Sequence, residues 1–230
     1  KDKSISIPRR QIGIDFGLSR QMTLTNGIGI QYSIPVTGKL RKLCRQLSKQ
    51  EEHSNNWNKT RIKIDKEYSH ISNVKKDIKC KIVSHLKDNN RIVCFQDENV
   101  KAWQRIWGSK ILSTAIGGII STLKQKVHTA VEVDRMYPST KTCSKCGNIQ
   151  EIALDERIYA CKKCDNIMDR DHNSSMDILN EGLRKIGAVR TELTPVEIES
   201  STLKSLRYLN SIPYVKASSV VESGSFTALA

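Results

Sequence analysis

The sequence predicts a mixed α/β domain carrying a small metal-bound appendage. Short strand-like segments lie at residues 11–33, 91–95 and 129–134, a long stretch of helical periodicity separates the first two, and two Cys-x-x-Cys pairs follow. The length agrees, because 230 residues allow one substantial domain plus an appendage. An apolar share of 38% supplies a core and argues against general disorder.

The elements follow in chain order. Gln11–Gly17 reads as a short strand with Ile12 and Ile14 on one face, and Met22–Thr25 and Ile28–Tyr32 flank Asn26-Gly27, a strong short-range hairpin signal. Three antiparallel strands are the simplest account of residues 11–33. Between Lys39 and Leu86 apolar residues such as Leu40, Leu43 and Leu47 recur at helical spacing, and His53-Ser-Asn-Asn56 breaks the run, predicting a helical hairpin over about 38–90. Such a pair is either a solvated amphipathic hairpin or a basic arm along a nucleic-acid backbone. Arg91–Phe95 is a buried strand, Trp103–Lys126 a helix interrupted at Gly117-Gly118, and Thr129–Asp134 a further strand. Asp171–Ile186 is a helix with polar residues at its start, an apolar stripe of Met176, Leu179, Leu183 and Ile186, and Gly187 past its end. Residues 191–230 show no sustained periodicity and are expected to be a flexible tail.

The balance of 38 Lys and Arg against 24 Asp and Glu, formally +14, favours a polyanionic partner, most often nucleic acid. No stretch is apolar enough to cross a bilayer and Lys1–Arg10 lacks a secretion signal's apolar core, so a cytoplasmic location is expected. The chain begins without methionine and reads as a piece of something longer. In a reducing compartment paired cysteines point to metal. Cys143, Cys146, Cys161 and Cys164 can close a tetrahedron of two knuckles around Zn²⁺, and four thiolates leave no position for a catalytic water, so the zinc is structural. Cys44, Cys80 and Cys94 are scattered packing residues.

Acids stand at the ends of core elements: Asp15 on the first strand, Asp97 and Glu98 after Phe95, and Asp169-Arg170-Asp171 opening the last helix, where exposed amides favour negative charge. This order matches a ribonuclease H-like fold, in which acids from the first strand, fourth strand and last helix converge on two divalent ions for phosphodiester hydrolysis. Hard carboxylates suit Mg²⁺ or Mn²⁺.

Gly13-Ile-Asp-Phe-Gly17, the Pro138–Cys143 lead-in, the cysteine ribbon and Asp169-Arg-Asp-His-Asn-Ser-Ser175 resemble the RuvC-like half of the TnpB family. These are insertion-sequence-encoded, RNA-guided DNA endonucleases related to type V CRISPR effectors. The resemblance runs from about residue 11 to 187. It implies a RuvC-like core over 1–137 with an inserted helical hairpin, a ribbon over 138–168 and a closing core helix over 169–190. It also implies DNA and guide RNA as partners, a recognition half upstream or in a second chain, and Asp15 and Asp171 as the first and last catalytic, magnesium-binding acids. Asp169 would be a local group.

The middle acid has two readings. Aligned without a gap on the family's Glu-Asp-Leu-Asn-Val-Lys, Gln96 falls where the catalytic Glu belongs, which implies a nuclease-dead, RNA-guided DNA-binding regulator. Glu98, two residues on, shares a face with that position along an extended segment and serves as the third ligand in the reading carried forward. A zinc-ribbon adaptor with incidental acids is the remaining alternative. Arg105 and Lys110, beside Trp103 and Trp107, together with Lys141, Lys145, Lys162 and Lys163 of the ribbon, are candidate nucleic-acid contacts.

Overall fold

The computed structural model describes residues 10–32, 34, 38–108, 111, 114–153, 155–190 and 195–220. Its elements are β1 (Gln11–Phe16), β2 (Met22–Leu24), β3 (Ile28–Tyr32), α1 (Gly38–Leu47), α2 (Asn55–Asn89), β4 (Ile92–Gln96), α3 (Val100–Trp107), α4 (Ile116–Lys126), β5 (Thr129–Val133), β6 (Ile158–Ala160), β7 (Ile167–Asp169), α5 (Arg170–Lys185), α6 (Pro195–Asn210) and β8 (Val215–Ser219). Strands β5-β4-β1-β2-β3-β8 form one sheet, and β6 and β7 a separate hairpin. β1, β2 and β3 are an antiparallel meander, while β4 and β5 run parallel to β1.

Both faces of the sheet are covered, so its central strands are apolar on both sides. In β4, Val93 and Phe95 join the larger core with Ile12, Ile14 and Phe16 of β1, Ile78, Ile82 and Leu86 of α2, and Ile116, Ile119 and Leu123 of α4. Ile92 and Cys94 turn the other way, onto Ile178, Leu179 and Leu183 of α5 with Val131 and Val133 of β5. This is the two-residue alternation of a pleated strand.

α5 lies close to the sheet because β1 has glycine beneath it. A Cβ on Gly13 would stand 2.2 Å from the carbonyl oxygen of Ser175.

α2 runs for 35 residues from Ser54, whose hydroxyl accepts the amide of Trp57 at 3.2 Å. Its inner end is buried against the sheet, and Thr60, Ile64 and Ile71 continue the buried line outward, where α1 packs with Leu40 and Leu43.

Two expectations are corrected. The break within the predicted helix 103–126 falls after Trp107, where Gly108 adopts φ +42°, whereas Gly117 and Gly118 lie inside α4. Residues 195–219, expected to be an elementless tail, form α6 and β8. β8 pairs antiparallel with β3 along its whole length, from Ile28↔Ser219 to Tyr32↔Val215. Leu209, Ile212 and Val215 enter the larger core, and Tyr208 stacks on His85 of α2 at 4.7 Å between ring centroids. The remaining residues of that predicted tail, 191–194 and 220–230, fall outside the described set except for Val220.

Candidate nuclease pocket and cysteine ribbon

The ribbon is built from two matching knuckles. In the first, Gly147 N–H donates to the Cys143 carbonyl and Cys143 N–H to Asn148 O, both at 2.8 Å; in the second, Cys161 N–H donates to Asn166 O at 2.8 Å. Each knuckle turns on a left-handed residue, Gly147 at φ +71° and Asp165 at φ +52°. The thiols of Cys143 and Cys164, and of Cys146 and Cys161, lie 3.7 Å apart. Zn–S bonds of about 2.3 Å place the corners of a tetrahedron about 3.8 Å apart, so the cluster fits Zn²⁺. Among the described residues these four are the one His/Cys/Asp/Glu group whose ligand atoms all lie within 4.8 Å of one another. The Cys161 thiol is lowered to about 6, chiefly by the Lys163 amide pointing at its sulfur.

The ribbon is fastened to α5. Asn173, fully buried, donates to Thr142 O at 2.7 Å and accepts from Ser144 N–H at 3.0 Å, and Asn180, two turns on, donates to Ser144 O at 2.9 Å. The last ribbon strand, β7, runs straight into the helix: Asp169 ends the strand and caps α5, accepting from His172 N–H at 3.0 Å.

A cleft of about 330 Å³ opens beside this junction, lined by Asp15, Gln96, Glu98, Trp103, Ser139 and Asp171, with Arg20, Arg157 and Arg170 at its margin. Sheet register explains the gathering. β1 and β4 pair through Gly13↔Cys94 and Ile14↔Phe95, so one step further Asp15 adjoins Gln96, both on the α5 face. The carboxylates feel one another: burial raises Asp15 well above the usual range, and Asp171 and then Glu98 raise it further, against a hydrogen bond with Ser174. Burial, with Asp97 adding, pushes Glu98 up to about 7, while Arg135 opposes.

The three residues after Phe95 have separate roles. The Gln96 amide donates to the carbonyls of Asp134, Arg135 and Tyr137 at 3.0, 3.1 and 2.7 Å, and its oxygen accepts from Ser139 at 2.8 Å. It ties the segment after β5 to β4. Asp97 pairs with Arg135 near the surface. Glu98 lines the cleft and is the one of the two acids that couples to Asp15.

Of the other predicted contacts, none of the described cationic residues lines the cleft. Arg105, Lys145, Lys162 and Lys163 are exposed, Lys141 pairs with Glu151 at 2.8 Å, and Lys110 lies outside the described residues. Trp103 is half-buried against the core with Trp107 edge-on to it at 6.4 Å. Sequence reasoning missed the arginines of the margin, since Arg20 and Arg157 are isolated residues in no recognisable motif.

Comparison with known proteins places the chain among related sequences. Residues 119–178 match the Cas12f1-like TNB domain family. A proposed RNA-guided DNA endonuclease of Streptomyces pristinaespiralis is 28% identical over 185 residues, covering 75% of this chain and 45% of that protein. TnpB-like protein L79 of Acanthamoeba polyphaga mimivirus is 26% identical over 212 residues, 79% of this chain and 39% of the relative. InsQ of Escherichia coli K12, also a proposed RNA-guided DNA endonuclease, is 32% identical over 95 residues, covering 39% of this chain and 23% of InsQ. A Cas12f1–sgRNA–target DNA complex superposes over 77% of this chain and 51% of that one, with a TM-score of 0.43 and 16% identity. The chain thus spans less than half the length of these curated relatives.

Proposed function

This chain is a relative of the TnpB proteins, and from that premise we propose that it is the RuvC-like nuclease portion of an RNA-guided DNA endonuclease, hydrolysing DNA phosphodiester bonds with divalent metal. One observation carries the reading: Asp15, Glu98 and Asp171, far apart in sequence, line a single cleft at the ends of β1 and β4 and the start of α5. The meander β1–β3 with parallel β4 and β5 and a closing helix supports a ribonuclease H-like core.

The donors are hard carboxylate oxygens, which suit Mg²⁺ or Mn²⁺, and when bound such ions supply an activated water and stabilise the leaving oxygen. The chain's part would be to hold three carboxylates in one cleft. Burial first, and neighbouring acids second, raise the carboxyls of Asp15 and Glu98, so a divalent ion there would offset the cost of holding their charge. Zn²⁺ in the ribbon is structural. DNA and a guide RNA are the partners, the exposed ribbon lysines meet phosphates, and recognition rests largely with the remainder of the complete protein. A cytoplasmic location goes with that substrate.

A second reading, a DNA-binding regulator that does not cut, has one observation in its favour: Gln96, not an acid, stands beside Asp15 one step past the last ladder pair, Ile14↔Phe95. The test is Mg²⁺-dependent cleavage by the complete protein with its guide. Cleavage lost in Glu98→Gln and Asp171→Ala supports the nuclease; no cleavage by wild type, with target binding intact, supports the regulator. An adaptor with incidental acids expects Asp15 and Asp171 far apart, and their shared cleft speaks against it.

A further inference from the structure

The acid cleft contains a cation of its own. Arg20 sits in the turn between β1 and β2, which closes through Gly17 N–H to Gln21 O at 3.3 Å. Its stem crosses β3 at Gly29: a Cβ there would stand 2.6 Å from Arg20 Cδ and 2.8 Å from Nε. The absence of a side chain at residue 29 gives the arm its course. The guanidinium then reaches α5, where one nitrogen donates to both oxygens of Asp169 at 3.2 and 3.4 Å and lies 3.6 Å from Asp171 Oδ2. The side chain is 24% exposed, so this pairing is shielded from water.

The two carboxylates hold the arginine differently. Asp169 is committed elsewhere, because Oδ1 also caps the helix through His172 N–H, and its contact with Arg20 is a true hydrogen bond. Asp171 is held only by charge, with Arg170 Nε a further 3.9 Å from its other oxygen. A divalent ion at Asp171 would face a fixed positive charge a few ångströms away, in surroundings less polarisable than water. Asp169 would keep the arginine nearby after Asp171 let it go.

Building on the metal-site reading above, we propose that Arg20 is a positioning residue that serves as resident counter-charge to Asp171 and sets the cleft's affinity for divalent cations. Without metal it neutralises the opening turn of α5; when an ion binds, the guanidinium cedes Asp171 and stays on Asp169. The arginine therefore stabilises the empty cleft and weakens ion binding.

The experiment is titration of the complete protein with Mn²⁺, followed by calorimetry and by the electron paramagnetic resonance of the free ion, for wild type, Arg20→Gln, Arg20→Lys, Gly29→Ala and Asp171→Asn. Arg20→Gln is expected to bind Mn²⁺ about three- to tenfold more tightly. It should also melt at lower temperature without the ion and gain more from saturating Mn²⁺ than wild type does. Arg20→Lys keeps the charge and should bind close to wild type. Gly29→Ala pushes the arm aside without removing the charge and should shift affinity the same way as Arg20→Gln. Unchanged or weaker binding in Arg20→Gln and Gly29→Ala, with Asp171→Asn abolishing binding, overturns the role of Arg20 alone. Equal binding by wild type and Asp171→Asn overturns the metal-site reading, and this inference with it.

Discussion

Glu98 reaches the cleft because the strand has ended by the time the chain arrives at it. The last strand residue, Gln96, spends its amide on three carbonyls, and the next, Asp97, goes to Arg135. Glu98 is left facing Asp15 without a cation close enough to cancel its burial, and its carboxyl moves from the ordinary 4.5 to about 7. A carboxyl raised in this way holds a proton in the folded state that the unfolded chain has already released. Stability therefore falls as pH rises between roughly 4.5 and 7, and the loss is complete above that window. Glu98→Gln is expected to flatten this slope. Relative to wild type, the metal-free variant should gain on the order of 1–2 kcal/mol at pH 8 and little at pH 4.5, as read from urea denaturation across pH. A variant whose pH profile parallels that of wild type would show that Glu98 does not carry the shift. At this scale the three acids that line the cleft were legible as candidates, because their order along the chain is distinctive. Arg20 was not, since what makes it matter is the bare backbone at Gly29 on another strand, and no local pattern encodes that pairing.

The element that decides the geometry is α5. It touches the sheet at Gly13, the ribbon at Asn173 and Asn180, and the cleft through Asp171. Gly13→Ala would place a methyl 2.2 Å from the Ser175 carbonyl oxygen and 2.9 Å from Leu179 Cβ, and backbone cannot yield as a side-chain tip can. The helix must back away from β1, taking Asp171 with it. The expected cost is about 1–3 kcal/mol of stability, with a loss of Mn²⁺ affinity that persists at temperatures where the variant is fully folded. Calorimetry on the folded variant measures this, and wild-type affinity in a merely destabilised protein would contradict it. Elements with strong periodicity were legible in the sequence, including α5 and both strands that carry acids. β8 was not: Val-Lys-Ala-Ser-Ser has little apolar content, and it becomes a strand because the outer edge of β3 offers a full row of backbone partners.

For the whole molecule, the C-terminal segment is part of the architecture. Truncation after residue 190 would bare the β3 edge and uncover Ile28, Ile30 and Tyr32 beside the missing Leu209, Ile212 and Val215. The shortened protein is expected to melt at markedly lower temperature and to self-associate, as size-exclusion chromatography and thermal unfolding would report; a monomer of unchanged melting temperature would show that α6 and β8 are dispensable. The resemblance drawn from Gly13–Gly17 and Asp169–Ser175 reached the right relatives, because those motifs combine a glycine that permits close packing with the acids it brings together. It could not reach the unit after residue 190, which lies beyond the stretch that carries those motifs.

The long α2 helix has a mechanical consequence. At 35 residues it is about 52 Å of continuous rod, clamped at its inner end by the sheet and packed at its outer end by α1. Only Asn90 and Arg91 separate the clamped end from β4, the strand that leads to Glu98. A tilt of about 5° about the clamp would sweep the tip through ~4–5 Å, given a rod of that length. Read in reverse, a load that pulls the tip by a few ångströms reaches the root of β4 as torque with a much shorter throw. The hairpin is thus a lever with its fulcrum at the root of β4, one strand length from the acidic cleft.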